Sequence, residues 1–140
     1  MPTSRSVTIL IVDDEDGVRV TLRRQLAAQG HTVLEASHGI EALALVRMQA
    51  GRVELVLADV VMPQMNGTEL AASLQAEYPD LPVILMSAYA PAGWTRVGIH
   101  QSIVPVLMKP FTSEQLAELI QIAIDLPGKG RRTSRPTAAL

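Results

Sequence analysis

The 140-residue chain is 48% hydrophobic and 19% charged with a net charge of −2, which is typical of one soluble globular domain and unlike a disordered chain. The lack of cysteine excludes disulfides and thiolate metal sites, and the 3% aromatic content argues against a base-stacking surface for nucleic acid. No apolar run approaches the roughly 18 residues of a membrane span. Residues 1–6 do not look like a secretory signal, so we expect a cytoplasmic protein.

Short apolar segments alternate with segments of helical periodicity along the chain. The pattern predicts strands at residues 7–12, 32–36, 54–58, 82–86 and 104–108. It predicts helices at residues 15–29, 39–49 and 68–77, and a last helix capped by Thr112 or Ser113. This alternation requires a parallel sheet with helices on both faces. Five such strands fit an α/β fold with a flavodoxin-like, doubly wound sheet.

The segment 90–102, between the fourth and fifth predicted strands, is the least regular part of the chain. The fold class requires five helices, one of them in this segment, although Pro91, Gly93 and Gly98 all oppose helix formation. His31, His38 and His100 fall in predicted loops or strand edges, and we expect them at the surface.

The end of the chain differs in composition from the rest. Residues 127–140 contain four basic residues and no acidic one, and proline, glycine, serine and threonine dominate among the others. We expect a domain at residues 1–126 and a basic, flexible tail at 127–140, although a basic tail can also contact nucleic acid or lipid. No helix-turn-helix fits after residue 126, so direct nucleic-acid binding is not expected.

Polar side chains follow every predicted strand, and Ser37 and His38 after the second strand would lie at the edge of the sheet. Asp13 and Asp14 follow the first strand, Asp59 the third, Ser87 the fourth and Lys109 the fifth. Because the carboxyl ends of parallel strands meet at one edge of a sheet, these side chains should converge there. Clustered carboxylates repel one another unless a cation neutralises them, and an all-oxygen ligand set suits Mg²⁺. A carboxylate can also attack phosphorus, while an ammonium and a hydroxyl can contact phosphoryl oxygens.

The segments ILIVDDED, LVLADVVMPQMNG, VILMSAYA and VLMKPF resemble the receiver domains of response regulators in two-component signalling. The resemblance covers about residues 7–126 and implies the strand order 2-1-3-4-5. It implies that a histidine kinase or a histidine phosphotransfer protein phosphorylates Asp59. The amino-acid sequences of these segments are most similar to those of receivers at the C-terminus of hybrid sensor histidine kinases. A stand-alone receiver is an equally open interpretation.

The resemblance also assigns roles to individual residues. It implies that Mg²⁺ is bound by Asp13, Asp14, Asp59 and the backbone carbonyl of Val61. Lys109 would contact the phosphoryl group and would precede Pro110 through a cis peptide bond. Ser87 would move toward the phosphoryl group and carry the signal outward. Catalysis would be limited to self-phosphorylation and autodephosphorylation.

Three positions depart from the usual pattern of the family. Val106 stands where many receivers have a Tyr or Phe that acts as a rotamer switch. Val61 and Tyr89 occupy the two positions that tune dephosphorylation, and both are bulky and non-acidic, so we hypothesise slow autodephosphorylation. Trp94 could lie exposed beside strand five, a face through which the family resemblance implies partner binding or homodimerisation.

Two other functions remain as alternatives. The segment 14–18 also matches the opening motif of haloacid-dehalogenase-like phosphatases, with Asp14 as nucleophile and Asp16 as acid/base, but no acidic pair ends a strand after Lys109. A pseudo-receiver, a binding module that is not phosphorylated, would not need the complete acidic set. The sequence does not indicate a downstream target.

Overall fold

The computed structural model describes residues 6–49, 51–88, 96–99 and 102–125, with the backbone alone at residues 96–99, 102 and 103. The elements are β1 (Thr8–Val12), α1 (Asp16–Ala28), β2 (Thr32–Ala36), α2 (Gly39–Met48), β3 (Leu55–Asp59), α3 (Gly67–Glu77), β4 (Val83–Ser87), β5 (Arg96–Ile99), β6 (Ser102–Met108) and α4 (Ser113–Asp125). None of the helices in these ranges has the length and apolarity that crossing a membrane requires.

Five of the strands form a parallel sheet. The full strand order is β2-β1-β3-β4-β6-β5, and β1, β2, β3, β4 and β6 run parallel to their neighbours. Counting these five strands alone gives the order 2-1-3-4-5, which confirms the predicted doubly wound fold. The connections from β1 to β2, from β2 to β3 and from β3 to β4 each pass through a helix, as crossovers between parallel strands commonly do.

In the segment expected to hold a fifth helix, residues 96–99 form a strand, and residues 90–95, 100 and 101 lie outside the described residues. The described residues include four helices, and β5 pairs antiparallel with the start of β6, Ile99 opposite Ser102. The local sequence explains the difference, because Val97 and Ile99 are β-branched and Gly98 disfavours helix. Trp94 lies outside the described residues.

Strand β6 changes partner along its length at Pro105. Its residues Ser102–Pro105 pair with β5, and its residues Val106–Met108 pair with β4. Proline has no backbone N–H to donate to a ladder, so the β4 ladder starts only after it. The half of β6 that leads to Lys109 is therefore held by β4.

Alternating residues of the sheet build two cores, one on each face. Leu10 and Val12 belong to the core under α2 and α3, whereas Ile9 and Ile11 belong to the core under α1 and α4. Both sets are fully buried, because a central parallel strand is covered on both faces. This packing fixes where each strand ends, and with it the positions of the polar residues that follow.

The helix ends are set by local hydrogen bonds. Asn66 and Glu69 form a capping box at the start of α3. The hydroxyl of Thr112 accepts the Gln115 N–H at 3.0 Å, which confirms Thr112 as a cap for α4. Gly30, just after α1, has a φ of 95°, in the left-handed region that glycine adopts without strain.

Candidate functional site

The ends of β1, β3, β4 and β6 bring the predicted polar residues to one edge of the sheet. The register places Val12 beside Ala58, Asp59 beside Met86 and Ser87 beside Met108. β3 ends at Asp59 and β4 ends at Ser87. These two residues therefore lie at nearly the same level along the strands as Asp13 and Lys109. This is the edge at which doubly wound folds place their functional sites.

Three carboxylates and one ammonium meet at this edge. Oxygen atoms of Asp13, Asp14 and Asp59 lie within 4.8 Å of one another. The Lys109 Nζ is 3.0 Å from Asp59 Oδ1 and 3.3 Å from Asp13 Oδ2. Asp13 is buried and Asp14 is exposed, so the cluster reaches from the interior to the solvent.

Burial and neighbouring charges shift the pKa values of two of these groups. Burial raises the pKa of Asp59, the contact with Lys109 partly opposes that rise, and the charges of Asp13 and Asp14 add to it. Burial by itself lowers the pKa of Lys109, but the hydrogen bond and charge of Asp59 together with Asp13 outweigh burial and leave that pKa raised. Lys109 therefore stays an ammonium at neutral pH, and ionised Asp59 is the costly form.

Ser87 and Lys109 are linked through the backbone. The Lys109 N–H donates to the carbonyl of Ser87 at 2.7 Å, and the Lys109–Pro110 peptide bond is cis, as expected. Ser87 is buried with 2% exposure at the end of the central strand β4. A hydroxyl and an ammonium are thus fixed on adjacent strand ends.

The loop after β3 is held close to Asp59 by backbone contacts. The Val60 N–H donates to the Met86 carbonyl at 2.9 Å, and the Gly67 N–H donates to the Val60 carbonyl at 2.8 Å. A Cβ atom on Gly67 would lie 2.3 Å from the Asp59 carbonyl oxygen. Only glycine allows α3 to begin this near to Asp59.

The positions singled out for switching and tuning differ in burial. Val106 is buried at 6% exposure, and Val61 is 75% exposed in the loop after β3. Tyr89 lies outside the described residues. An aliphatic side chain in a packed position such as Val106 cannot act as an aromatic rotamer switch.

An open groove of about 580 Å³ lies beside Lys109. Val18 and Leu22 of α1 form one side, and Pro110 and Phe111 form the other. The groove places an apolar surface next to the charged cluster, which is the mixture of properties found at protein-binding sites.

Sequence reasoning missed two polar residues. The sequence assigns no role to Arg19, but its guanidinium is 2.5 Å from the backbone carbonyl of Asp13. His31 was expected at the surface, but it is buried and its Nδ1 accepts the Val7 N–H at 3.1 Å. Acidic residues near Arg19 were a possible signal, whereas the environment of His31 depends on how β1 and β2 pair. His38 is half-buried and caps α2.

Comparison with known proteins identifies the class to which this fold and site belong. The family model of the response regulator receiver domain matches residues 9–121. The chain belongs to this family, the receivers of two-component systems.

Similar proteins include receivers in several settings. The chain is 40% identical over 118 residues to the sensor kinase CckA of Brucella abortus, covering 84% of this chain and 12% of CckA. It is 36% identical over 111 residues to the response regulator MprA of Mycobacterium ulcerans, covering 79% of this chain and 47% of MprA. The chain thus spans less than half the length of these two relatives.

Solved structures agree with the sequence comparison. The receiver domain of the hybrid histidine kinase CckA has a TM-score of 0.67 and 35% identity, covering 81% of this chain and 94% of that one. The response regulator TrrA of Thermotoga maritima, solved in complex with Mg²⁺–BeF, has a TM-score of 0.67 and 28% identity, covering 81% and 96%.

Proposed function

We propose that the chain is a phosphoacceptor switch in which Asp59 receives a phosphoryl group from a phosphohistidine donor. The observation that carries the proposal is the position of Asp59 at the end of β3, within 3.0 Å of the Lys109 ammonium and among three carboxylates. Membership of the receiver family supports the same reading. The donor would be a histidine kinase or a histidine phosphotransfer protein.

The donor atoms of the site fit Mg²⁺. All ligand groups near Asp59 are hard oxygens, with no histidine or cysteine among the clustered residues. We assign Asp13, Asp14, Asp59 and the backbone carbonyl of Val61 as ligands, some of them through water. When bound, Mg²⁺ would neutralise the clustered charge and stabilise the charge that develops on the transferred phosphoryl group. The magnesium complex of TrrA, a structural relative, supports this assignment.

Asp59 and Lys109 have different roles in the proposed phosphoryl transfer. An Asp59 carboxylate oxygen forms a bond to phosphorus while the bond from phosphorus to the donor imidazole nitrogen breaks, and that nitrogen keeps the electron pair. The Lys109 ammonium pairs with the transferred group after leaving its contact with Asp59. The site supplies position and charge stabilisation, the main requirements of phosphoryl transfer.

Ser87 would carry the signal away from Asp59. Its hydroxyl lies at the end of β4 and would turn to donate a hydrogen bond to a phosphoryl oxygen. Because Val106 is aliphatic, the output would depend on shifts of the segment after β4 and of strands β5 and β6. The same face of the sheet is the proposed surface for a homodimer or another partner.

The proposed lifetime of the phosphorylated state is long. Val61 is exposed beside the site and, with Tyr89, would hinder the approach of a hydrolytic water. We expect a phospho-Asp59 half-life well beyond seconds, and Val61→Glu should shorten it. A half-life of seconds in the parent, measured by following loss of the phosphoryl group by mass, would contradict this part of the proposal.

The phosphatase alternative has less support. Asp16 would have to act as an acid/base beside Asp14, but its side chain is 89% exposed and pairs with Arg19. That scheme also leaves Asp59 without a role. The domain boundary at residue 126 and the basic tail at 127–140 remain proposals, because residues 126–140 lie outside the described part of the chain.

Intact mass spectrometry tests the proposal. The chain is incubated with Mg²⁺ and acetyl phosphate, beside Asp59→Asn and Asp14→Asn. We expect the parent to gain one phosphoryl group and Asp59→Asn to gain none. No gain in the parent would favour a pseudo-receiver. A gain that survives in Asp59→Asn and is lost in Asp14→Asn would favour the phosphatase scheme.

A further inference from the structure

Arg19 connects three elements around the acidic cluster. Its side chain is only 14% exposed. Its Nη1 donates to the Asp13 carbonyl at 2.5 Å, its Nε contacts Glu35 Oε1 at 3.3 Å, and its Nη2 pairs with Asp16. A planar guanidinium can make several such contacts at once, which an ammonium on a flexible stem cannot.

The contact with Arg19 completes the set of hydrogen bonds that hold Asp13. The Asp13 N–H donates to the Ala36 carbonyl at 3.2 Å. Its two carboxylate oxygens contact the Glu15 N–H at 2.9 Å and the Lys109 Nζ at 3.3 Å. Its carbonyl belongs to the peptide that leads into Asp14, so Arg19 fixes the orientation of the link between the two carboxylates.

Glu35 anchors Arg19 to the sheet. Glu35 lies on β2 opposite Ile11 of β1, and its second oxygen accepts a hydrogen bond from Arg23 Nη1 at 2.6 Å. The carboxylates of Glu35 and Asp16 offset the charge of Arg19, so the guanidinium brings little net positive charge to the cluster. Arg23 shares the Glu35 anchor without an observed contact to Asp13, which makes it a matched control.

We propose that Arg19 is a positioning residue for cation binding by Asp13 and Asp14, acting through the Asp13 carbonyl. The inference rests on the proposed function, because it concerns the same cation site. Residues that orient metal ligands typically change metal affinity by about 10- to 100-fold when they are removed. Charge alone would act in the opposite direction, since removal of a nearby cation would strengthen Mg²⁺ binding.

Calorimetric titration with Mg²⁺ alone separates these two effects. We expect Arg19→Ala to weaken Mg²⁺ binding about tenfold. Arg23→Ala should change it by less than about twofold, because Arg23 has no observed contact with Asp13. Arg19→Lys should be intermediate, because an ammonium can still donate to one acceptor but lacks the planar fork that reaches several acceptors at once. At saturating Mg²⁺, the rate of phosphorylation by acetyl phosphate should recover in Arg19→Ala, which a general loss of structure would not allow.

Each result bears on a different claim. Unchanged or tighter Mg²⁺ binding in Arg19→Ala, with the parent binding normally, would overturn the positioning role and leave the proposed function intact. Failure of the parent to bind Mg²⁺ would instead contradict the proposed function. If Arg19→Ala does not fold, Arg19→Lys decides, and binding as tight as in the parent would overturn the inference.

Discussion

Asp59 is held in a setting that disfavours its own charge. Burial raises its pKa, the contact with Lys109 offsets that rise only in part, and the charges of Asp13 and Asp14 add a smaller rise. An ionised carboxylate in this setting destabilises the fold, and a perturbed pKa of this kind is typical of a functional residue. The raised pKa means that the folded state disfavours the ionised form of Asp59, so this cost should be measurable in the free energy of unfolding.

We expect Asp59→Asn to stabilise the folded chain at pH 7 by on the order of 1 kcal/mol. A carboxyl group with a raised folded pKa favours folding below its unfolded pKa, and that contribution is lost as the pH rises through the folded pKa. The advantage of Asn should therefore be largest at neutral pH and should shrink on acidification. Urea unfolding in metal-free buffer at several pH values measures it, and an equal or lower stability of Asp59→Asn at pH 7 would contradict the account.

His31 gives a second prediction that depends on pH. Burial lowers its pKa, and its Nδ1 can accept the Val7 N–H only when the imidazole is not protonated there. A histidine with a lowered folded pKa contributes stability that is complete above its unfolded value of 6.5 and is lost as the pH falls through the folded pKa.

We therefore expect the free energy of unfolding to fall between pH 7.5 and 5 more steeply in the parent than in His31→Leu, by on the order of 1 kcal/mol. Urea unfolding across this range measures the difference. His38→Leu is the control, because His38 is half-buried and caps a helix at the surface. Parallel curves for the parent and His31→Leu would contradict the prediction.

The elements differ in how far the sequence alone determines them. The parallel strands and their helices follow from apolar periodicity, and Thr112 was predictable from its capping chemistry. Strand β5 was not, because a four-residue strand forms only by pairing with β6, and that pairing depends on long-range contacts. The convergence of Asp13, Asp59 and Lys109 was predictable because it follows from the strand ends. The contact between Arg19 and Asp13 was not, because it depends on a side-chain conformation.

The start of α3 offers a direct test of how closely this helix approaches Asp59. A Cβ on Gly67 would lie 2.3 Å from the Asp59 carbonyl oxygen, so Gly67→Ala should destabilise the chain by about 1–3 kcal/mol and slow phosphorylation. Gly17→Ala is the matched control, because its Cβ would meet nothing within 4 Å. That control should be neutral or stabilising by up to about 1 kcal/mol in chemical unfolding. Equal effects of the two substitutions would show that the close approach does not matter.

At the scale of the whole molecule, a cation site that joins β1 and β3 should tie stability to Mg²⁺. Binding to the folded state alone adds about 2.7 kcal/mol at a concentration 100 times the Kd. The melting temperature of the parent should therefore rise with Mg²⁺ at constant ionic strength. The response should be much smaller in Asp14→Asn. An equal rise of the melting temperature in both proteins would show that Mg²⁺ acts at another site.

The site of the chemistry is the central claim, and borohydride trapping after phosphorylation tests it most directly. Borohydride reduces an acyl phosphate to an alcohol with release of phosphate, so the phosphorylated aspartate becomes homoserine and can be located by tandem mass spectrometry. We expect homoserine at residue 59 after treatment with acetyl phosphate and Mg²⁺, and none when either is omitted. Homoserine at residue 14 with Asp59 unchanged would contradict it.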